Sequence, residues 1–338
     1  MWKKKMCCLL TGIALTSLTT ACSGGLSGQT KEYPSRNITL INPYKAGGTT
    51  DPVSRKFAEL LGKKLDAEVI VKNKDGGGST VGVGEVFAAQ PDGYTIGLGS
   101  SSGYTVPPLL KDNELPYKGV ADFQTLVQPY EQYPVLVAPP DAPYKNLKEF
   151  VSYAKENPGT TMGSPGRFTA TELGGLAFAE AADIKVSPAP FTGGSGESLT
   201  ALQGGKVDTV VAGPGGSLTG LAKAGKVRVL GSLGPYRVKA FPDAESAKEV
   251  GYGEGLVSTS FAIIAPKGLP KQVSRELTEA SKAVITSDDY RRWAEKSGYD
   301  VPDEPKSGDE LSKQLKSEAT SYRDLLVALG EKPVRSAP

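Results

Sequence analysis

The sequence predicts an α/β protein with two lobes. Three observations support this prediction: strands and helices alternate from residue 38 onward, the alternation repeats beyond the middle of the chain, and the body is long. Alternation of this kind is typical of a largely parallel sheet covered by helices on both faces. A body of roughly 300 residues usually divides between two hydrophobic cores. The 41 glycines and 25 prolines indicate many tight loops between short elements.

The first strand, loop and helix form the clearest unit of the pattern. Residues 38–41 are a short β-branched run, and a glycine-rich segment at 43–51 follows them. Apolar residues then recur at helical spacing over 53–65. Asp51 suits the N-cap of this helix, and Pro52 suits its first position, where a missing N–H costs nothing.

The later elements repeat this order. Further strands are predicted at 69–71, 94–98, 207–212 and around Thr161 and Met162, with helices at 81–89, 150–155, 169–181, 273–284 and 311–326. Two apolar segments bounded by proline, 133–138 and 260–265, are interpreted as paired crossings between the lobes. The C-terminal helices, separated by a proline-rich turn at 301–305, are expected to return to the first lobe.

The start of the chain predicts export and a lipid anchor. Lysines at 3–5 precede an apolar, small-residue run that ends at Ala21, and Cys22 follows directly. This pattern is typical of a signal peptide, here residues 1–21, cut before a cysteine that is then acylated. Thr19 stands where a leucine is usual at such sites, so ordinary cleavage near Ala21 stays an alternative. The run of about a dozen residues is too short and polar for a transmembrane anchor.

Composition argues against several functions. All three cysteines lie within the first 22 residues, so the predicted mature body has no thiol for a disulfide, a metal or a nucleophile. The leader holds three lysines and no acid, so the formal charge falls from +2 to −1 without it, and no basic stripe favours nucleic acid. The chain has no histidine, which excludes Ser-His-Asp and Cys-His catalysis. We therefore predict no enzyme, metal or cofactor, although a Ser-Lys or paired-carboxylate site stays open.

The predicted organisation has four parts. Residues 1–21 are a lipoprotein signal peptide, and 22–32, rich in serine and glycine, are a flexible tether. Residues 33–134 together with 262–335 form lobe 1, and 135–261 form lobe 2. The mature protein is expected to be an exported, extracytoplasmic monomer held at the membrane by the lipid on Cys22.

Along these elements the sequence resembles the solute receptors of tripartite tricarboxylate transporters, the Bug-type extracytoplasmic receptors. The resemblance covers nearly the whole mature chain, and it depends on the order of the motifs because each one alone is weak. The motifs are Tyr33-Pro34, the loop 43–51, Asn73 before Gly76-Gly77-Gly78, Pro91-Asp92-Gly93-Tyr94-Thr95, Leu115-Pro116-Tyr117, Asp122-Phe123, and residues 190–194, 202–208, 224–228 and 241–243.

The resemblance implies a fold and a function. The fold is that of type II periplasmic binding proteins, with two α/β lobes joined by paired crossover strands and a ligand cleft between them. The function is capture of a small carboxylate, a di- or tricarboxylate or an aromatic acid, by lobe closure and its delivery to a tripartite tricarboxylate transporter permease in the membrane. Two alternatives stay open: presentation of the ligand to a histidine kinase, and an exported hydrolase on a binding-protein scaffold.

The predicted grip on the carboxylate is a glycine-bordered helix N-terminus. Unpaired amides at such an end carry roughly +0.5 of a charge and donate hydrogen bonds to an anion without arginine. In lobe 1 Ala46, Gly47, Gly48 and Thr49 are expected to present these groups, and Asp51 is expected mainly to fix the loop by capping the helix. The loop 99–102 is interpreted either as a source of hydroxyl donors or as a polar turn.

In lobe 2 the segment 163–171 fills the equivalent place. Thr169 and Glu172 fit a capping box, although the family commonly has histidine where Glu172 stands. Arg167 is open between a bidentate grip on a distal carboxylate and a solvated charge. The loop 212–216 lacks the aspartate often found there in the family, which would widen the pocket. The full set of predicted ligand contacts is Tyr44, Ala46, Gly47, Gly48, Thr49, Asp51, Gly78, Ser100, Ser101, Ser164, Gly166, Arg167, Thr169, Thr171, Phe191, Thr192, Gly193 and Gly213.

Overall fold

The computed structural model describes residues 33–111, 114–253, 256 and 259–335; the predicted signal peptide, Cys22 and the tether lie outside this part of the chain. The strands are β1 Ile38–Asn42, β2 Val69–Asn73, β3 Thr95–Ser100, β4 Phe123–Val127, β5 Glu131–Gln132, β6 Val135–Ala138, β7 Thr160–Ser164, β8 Val186–Pro190, β9 Thr209–Ala212, β10 Arg228–Ser232 and β11 Thr259–Pro266. The helices are α1 Thr50–Leu65, α2 Thr80–Ala88, α3 Ser101–Leu110, α4 Leu147–Glu156, α5 Ala170–Ala181, α6 Ser195–Gln203, α7 Ser217–Lys223, α8 Lys271–Ile285, α9 Asp288–Ser297 and α10 Gly308–Ala328.

The strands form two mixed sheets, which confirms the predicted two-lobe α/β fold. In the first sheet the order is β2-β1-β3-β11-β4, with β5 paired to the start of β11. Here β1 runs parallel to β2 and β3, whereas β11 is antiparallel to its neighbours. In the second sheet the order is β10-β6-β9-β7-β8, and β7 runs parallel to β8 and β9. We call the first sheet with its helices lobe 1 and the second lobe 2.

The crossing between the lobes differs from the prediction. Residues 135–138 form β6 inside the second sheet, and β11 belongs to the first sheet from Thr259 onward. These two segments lie in different sheets, so they are not the paired crossings. The pairing joins β5 to the start of β11 instead, with Gln132 opposite Thr259. The predicted division at 261/262 therefore falls inside β11.

Each sheet is buried on both faces because successive residues of its strands are apolar and point to opposite sides of the sheet. Along β11, Ile263 packs with α1, α8 and α9 on one face, while Ile264 packs with α2 and α10 on the other. Two further clusters cover the faces of the second sheet. The C-terminal helices thus pack on lobe 1, as predicted. Complete burial of an aliphatic side chain of this size stabilises by about 1.5–3 kcal/mol.

A fifth apolar cluster connects helices from different parts of the chain. Leu109 of α3, Leu173 of α5 and Leu326 of α10 pack together in it. Helix α5 follows a strand of the second sheet, whereas α3 follows a strand of the first, so this cluster joins the two lobes. Among the described residues, no helix has both the length and the apolar character needed to cross a bilayer.

Candidate ligand-binding cleft

The N-termini of α1, α3 and α5 define the candidate site. Helices α1 and α3 begin at the carboxyl ends of the adjacent strands β1 and β3, where open α/β sheets place ligands. Helix α5 approaches from lobe 2, and its first amide, on Ala170, donates a hydrogen bond of 3.0 Å to Ser102 Oγ of α3. Three positive helix ends therefore lie near one another, and this arrangement favours an anionic ligand.

Asp51 organises the loop before α1, although it is not the N-cap that the sequence indicated. The helix begins at Thr50, and Thr49 is its cap residue with no side-chain capping bond. The Asp51 carboxylate reaches back to accept the Gly47 amide at 3.1 Å and accepts the Asn73 side-chain amide at 3.0 Å. Arg55 Nε donates to it as well, at 3.0 Å. Asp51 is thus a structural residue of the loop.

The electrostatics of Asp51 agree with this role. Its side chain is buried, and burial alone would raise the pKa of the carboxyl group. The hydrogen bonds from Arg55, Gly47 and Asn73 outweigh that effect and hold the pKa below its ordinary value. Asn73 also donates to the Tyr44 carbonyl at 3.1 Å, so one amide ties both ends of the loop to β2.

The glycine amides of this loop are less available than the sequence suggested. Gly47 donates to Asp51, and Gly48 donates to the Lys45 carbonyl at 3.2 Å, so both are already hydrogen-bonded inside the loop. Within the described ranges, the amides of Ala46 and Thr49 form no hydrogen bond, nor does the Thr49 hydroxyl. The donors of lobe 1 are therefore Ala46 and Thr49, while the glycines shape the turn: Gly47 has φ +77°, a conformation that favours glycine.

The serines after β3 are committed to the protein. There is no loop at 99–102, because β3 ends at Ser100 and α3 begins at Ser101. Ser100 caps α3, and its hydroxyl lies 2.7 Å from that of Tyr44. The Ser101 hydroxyl contacts Tyr322 at 3.3 Å, and Ser102 lies 3.1 Å from Ser100. All three serines are buried, so the interpretation as ligand donors gives way to an internal hydroxyl network.

That network crosses between the lobes. It runs from Tyr44 through Ser100 and Ser102 to the Ala170 amide. Burial raises the pKa of Tyr44, so the phenol stays neutral and can serve as a hydrogen-bond donor. Gly78 stands apart from it, on an exposed turn with φ +68°. Hydrogen bonds therefore place Tyr44 near the site. In the described part of the chain, none connects Gly78 to it.

In lobe 2 the capping box is present in a modified form. Thr169 caps α5 by accepting the Glu172 amide at 3.3 Å. The Glu172 carboxylate accepts the Phe168 amide and, at 3.3 Å, the Ser164 hydroxyl. Glu172 is 1 % exposed, and burial raises the pKa of its carboxyl group. It therefore holds the loop that contains Gly166, which supports the capping interpretation.

Arg167 of lobe 2 forms an ion pair with the segment that follows α10. Its guanidinium lies 3.3 Å from the Glu331 carboxylate and stacks over the Phe168 ring at 4.3 Å. Both charged side chains are substantially exposed, at 53 % and 34 %. The alternative in which Arg167 is a surface charge is therefore favoured over the distal grip.

Thr171 has an amide and a hydroxyl that are available to bind a ligand. It lies in the first turn of α5, and in the described part of the chain neither its amide nor its hydroxyl forms a hydrogen bond. In the loop after β8, by contrast, Gly193 already donates to Glu197, and the Phe191 amide donates to the Ser164 carbonyl at 2.9 Å. The neighbouring Thr192 is exposed. Thr171 is thus the lobe 2 counterpart of Thr49.

The two lobes touch at Gly213. A Cβ atom on this glycine would lie 3.2 Å from the Thr49 methyl group and 3.2 Å from Gln132 Oε1. Tyr299 packs equally closely on Gly215, and its hydroxyl donates to the Thr49 carbonyl at 2.7 Å. The expected widening by the loop 212–216 is therefore wrong, because the absence of side chains lets Thr49 and Tyr299 approach. Sequence reasoning missed Gln132 and Tyr299, which belong to no recognisable motif.

Similarity to known proteins agrees with this geometry. The family model described as tripartite tricarboxylate transporter family receptor matches residues 53–326. A UPF0065 protein of Bordetella pertussis is 33% identical over 331 residues, which cover 96% of this chain and 98% of that protein. The periplasmic binding protein BugD superposes with a TM-score of 0.79 at 28% identity, covering 89% of this chain and 99% of BugD. MatC from Rhodopseudomonas palustris, with bound malate, has a TM-score of 0.76 at 25% identity and covers 87% of this chain and 100% of its own.

These matches confirm the resemblance drawn from the ordered motifs. The family match extends from within α1 through most of α10, and the structural neighbours share both lobes over nearly their full length. Their fold is the periplasmic binding protein fold, and their family is one of solute receptors rather than of enzymes. The chain therefore belongs to the tripartite tricarboxylate transporter receptor family, the Bug-type periplasmic solute receptors.

Proposed function

We propose that this chain captures a small carboxylate between its lobes, without catalysing a reaction, and delivers it to a membrane permease. The supporting observation is the pair Thr49 and Thr171. Each stands at the start of a helix, one from each lobe, and each keeps an amide and a hydroxyl without a partner in the described structure. A guest that binds both threonines bridges the lobes and stabilises the closed form.

The chemistry of the guest follows from these donors. Both threonines provide only hydrogen-bond donors and hydroxyls at positive helix ends, so a carboxylate gains several charge-assisted bonds there. A neutral guest gains less from the same groups. MatC binds malate, a dicarboxylate, and in this chain a second acid group would let the threonine of each lobe bind its own carboxylate. We therefore favour a di- or tricarboxylate over a monocarboxylate, while aromatic acids stay within the proposed class.

The test is binding without turnover. We expect a carboxylate from a panel of malate, citrate, tartrate, glutamate, benzoate and nicotinate to bind with a Kd near micromolar, about −8 kcal/mol. At a hundredfold excess over this Kd, the ligand stabilises the protein by about 2.7 kcal/mol and raises its Tm. Thermal shifts identify the ligand, and mass spectrometry of the recovered ligand shows whether it is unchanged. Release of a cleaved product would instead favour the hydrolase alternative.

Delivery to a permease is the second part of the proposal. A histidine kinase partner is the competing function, and the same closed form would serve either partner. Reconstitution of the protein with large and small permease subunits in vesicles distinguishes them. Uptake of the labelled ligand that depends on this protein supports delivery, whereas ligand-dependent phosphorylation of a kinase without uptake contradicts it.

Lipid attachment at Cys22 is the third part. The cysteine directly follows Ala21 and a leader-like run, and residues 23–32 provide a polar tether. We expect metabolic labelling with an alkyne fatty acid in a bacterial host to mark the wild-type protein and to fail with Cys22→Ser. Cys8→Ser is the matched control, because it removes a cysteine inside the leader, and its label should persist. Label on Cys22→Ser would contradict the assignment.

A further inference from the structure

Gln132 is a buried side chain whose amide has no partner. The residue is 6 % exposed, and its Oε1 is buried with no hydrogen bond. Its Nε2 donates no hydrogen bond to any described residue either. Two other buried amides with one unpaired atom differ, because each uses its other end: Asn42 Oδ1 accepts from Thr50, and Gln314 Nε2 donates to Glu318. A buried amide oxygen without a partner is costly unless a ligand pairs with it.

The position of this amide is set by the backbone. Gln132 is the second residue of β5, where it pairs with Thr259, and the preceding amide, of Glu131, donates to the Asp300 carbonyl at 3.0 Å. Its side chain lies against Gly213 of lobe 2, where a Cβ atom would be 3.2 Å from Oε1 and 3.4 Å from Nε2. The amide is therefore fixed between the lobes.

Gln132 also lies beside the predicted anion grip. The Thr49 methyl group is 3.2 Å from the same Cβ position on Gly213, so the amide and Thr49 flank one point of the interface. Thr49 provides donors, which suit the oxygens of a carboxylate. Gln132 Oε1 is an acceptor, and a carboxylate ionised at neutral pH has no proton to give it. The two residues are thus complementary: one suits the acid group, the other a donor group on the ligand.

We propose that Gln132 is a specificity-determining residue that selects carboxylates bearing a hydrogen-bond donor, such as a hydroxyl group, over analogues without one. This inference rests on the proposed carboxylate-binding function. A site built to pair with a hydroxyl discriminates strongly against the analogue that lacks it, because its own polar atom then stays unpaired. The preference should reach at least about tenfold in Kd.

The experiment uses acids that differ by one hydroxyl: malate against succinate, citrate against tricarballylate, and mandelate against phenylacetate. Calorimetry on the full-length protein gives Kd for each member. In the wild type the hydroxy acid of a bound pair should bind at least about tenfold more tightly, and Gln132→Leu should reduce this ratio to within about twofold. Gln132→Glu keeps the acceptors and loses the donor, so it should keep the hydroxyl preference while binding all acids more weakly.

Gln124→Leu is the matched control. Gln124 lies on β4 of the same lobe and donates to Ser274, away from Gly213 and Thr49. Loss of the Gln124 amide should leave the ratio of Kd values for each acid pair unchanged and should lower the Tm. Gln132→Leu should keep or raise the Tm of the ligand-free protein, because it removes an amide that has no partner. This contrast separates a ligand contact from a residue needed for folding.

The outcomes are distinguishable. A wild type that binds carboxylates but does not prefer the hydroxy acid, or a preference that survives Gln132→Leu, overturns the inference and leaves the proposed function standing. A ratio lost in Gln132→Glu as well would mean that the Nε2 donor, and not the Oε1 acceptor, binds the ligand hydroxyl, which also overturns the inference. Failure of every acid to bind would contradict the proposed function itself.

Discussion

Replacement of Gly213 by valine should weaken ligand binding by about tenfold to a hundredfold with little change in the stability of the ligand-free protein. A Cβ atom at this position would meet the Thr49 methyl group and Gln132 Oε1, each at 3.2 Å, and the two methyl groups of valine extend farther. Thr49 belongs to lobe 1 and Gly213 to lobe 2. The added volume therefore opposes closure without disturbing the core of either lobe.

Calorimetry and small-angle scattering measure this effect together. The variant should bind the ligand with a raised Kd and should stay expanded at ligand concentrations that compact the wild type. Gly220→Val is the control, because Gly220 is an exposed glycine of α7 with no atom within 4 Å of its Cβ position. It should bind normally. An unchanged Kd for Gly213→Val would show that the contact with Thr49 is not part of the ligand-bound state.

The alternation of elements could be predicted because it depends on local patterns. Apolar spacing placed α1 and a β-branched run placed β1, since periodicity records which face of an element is buried. The ends of the elements were less accurate. The predicted loop at 99–102 is a direct junction of β3 and α3, because Ser100 caps the helix with its own hydroxyl and needs no intervening residues.

Long-range pairing limited the prediction of the site. The sequence identified the glycine loop before α1. Which amides of this loop are free depends on contacts made after folding: the Asp51 carboxylate accepts the Gly47 amide, and Asn73 of β2 donates to Asp51. Arg167 is paired with Glu331, which lies far away in the sequence. No local pattern contains such contacts.

Gln132 shows the same limit in another form. A glutamine in a two-residue strand gives no periodic signal, and its burial depends on the absence of a side chain at Gly213 in the other lobe. The sequence does contain Gly213 as part of a glycine-rich turn. What it lacks is the information that this turn faces β5, which is a property of how the two lobes meet.

Asp51→Ala should lower both the Tm and the ligand affinity, the latter by about tenfold or more. The substitution removes the acceptor of the Gly47 amide and one of the two acceptors of the Asn73 side chain, and a hydrogen bond to a charged group contributes about 1.5–3 kcal/mol. It also frees the segment that holds Thr49 in place. Differential scanning calorimetry and ligand titration measure the two effects. Asp289→Ala is the control, because Asp289 also lies in the first turn of a helix and pairs with an arginine, Arg292, but on an exposed surface.

The pH dependence distinguishes a charged role of Asp51 from a purely steric one. Burial opposes ionisation, but hydrogen bonds from Arg55, Gly47 and Asn73 hold the pKa of Asp51 in the folded protein below its ordinary value of 3.8. A carboxylate whose pKa is lowered by folding stabilises the protein above its unfolded-state pKa, and this contribution is lost as the pH falls through the folded-state pKa. The difference in free energy of unfolding between wild type and Asp51→Ala should therefore be full at pH 7 and shrink below about pH 4. A difference that stays constant down to pH 2 would mean that the carboxylate holds the loop by its shape and not by its charge.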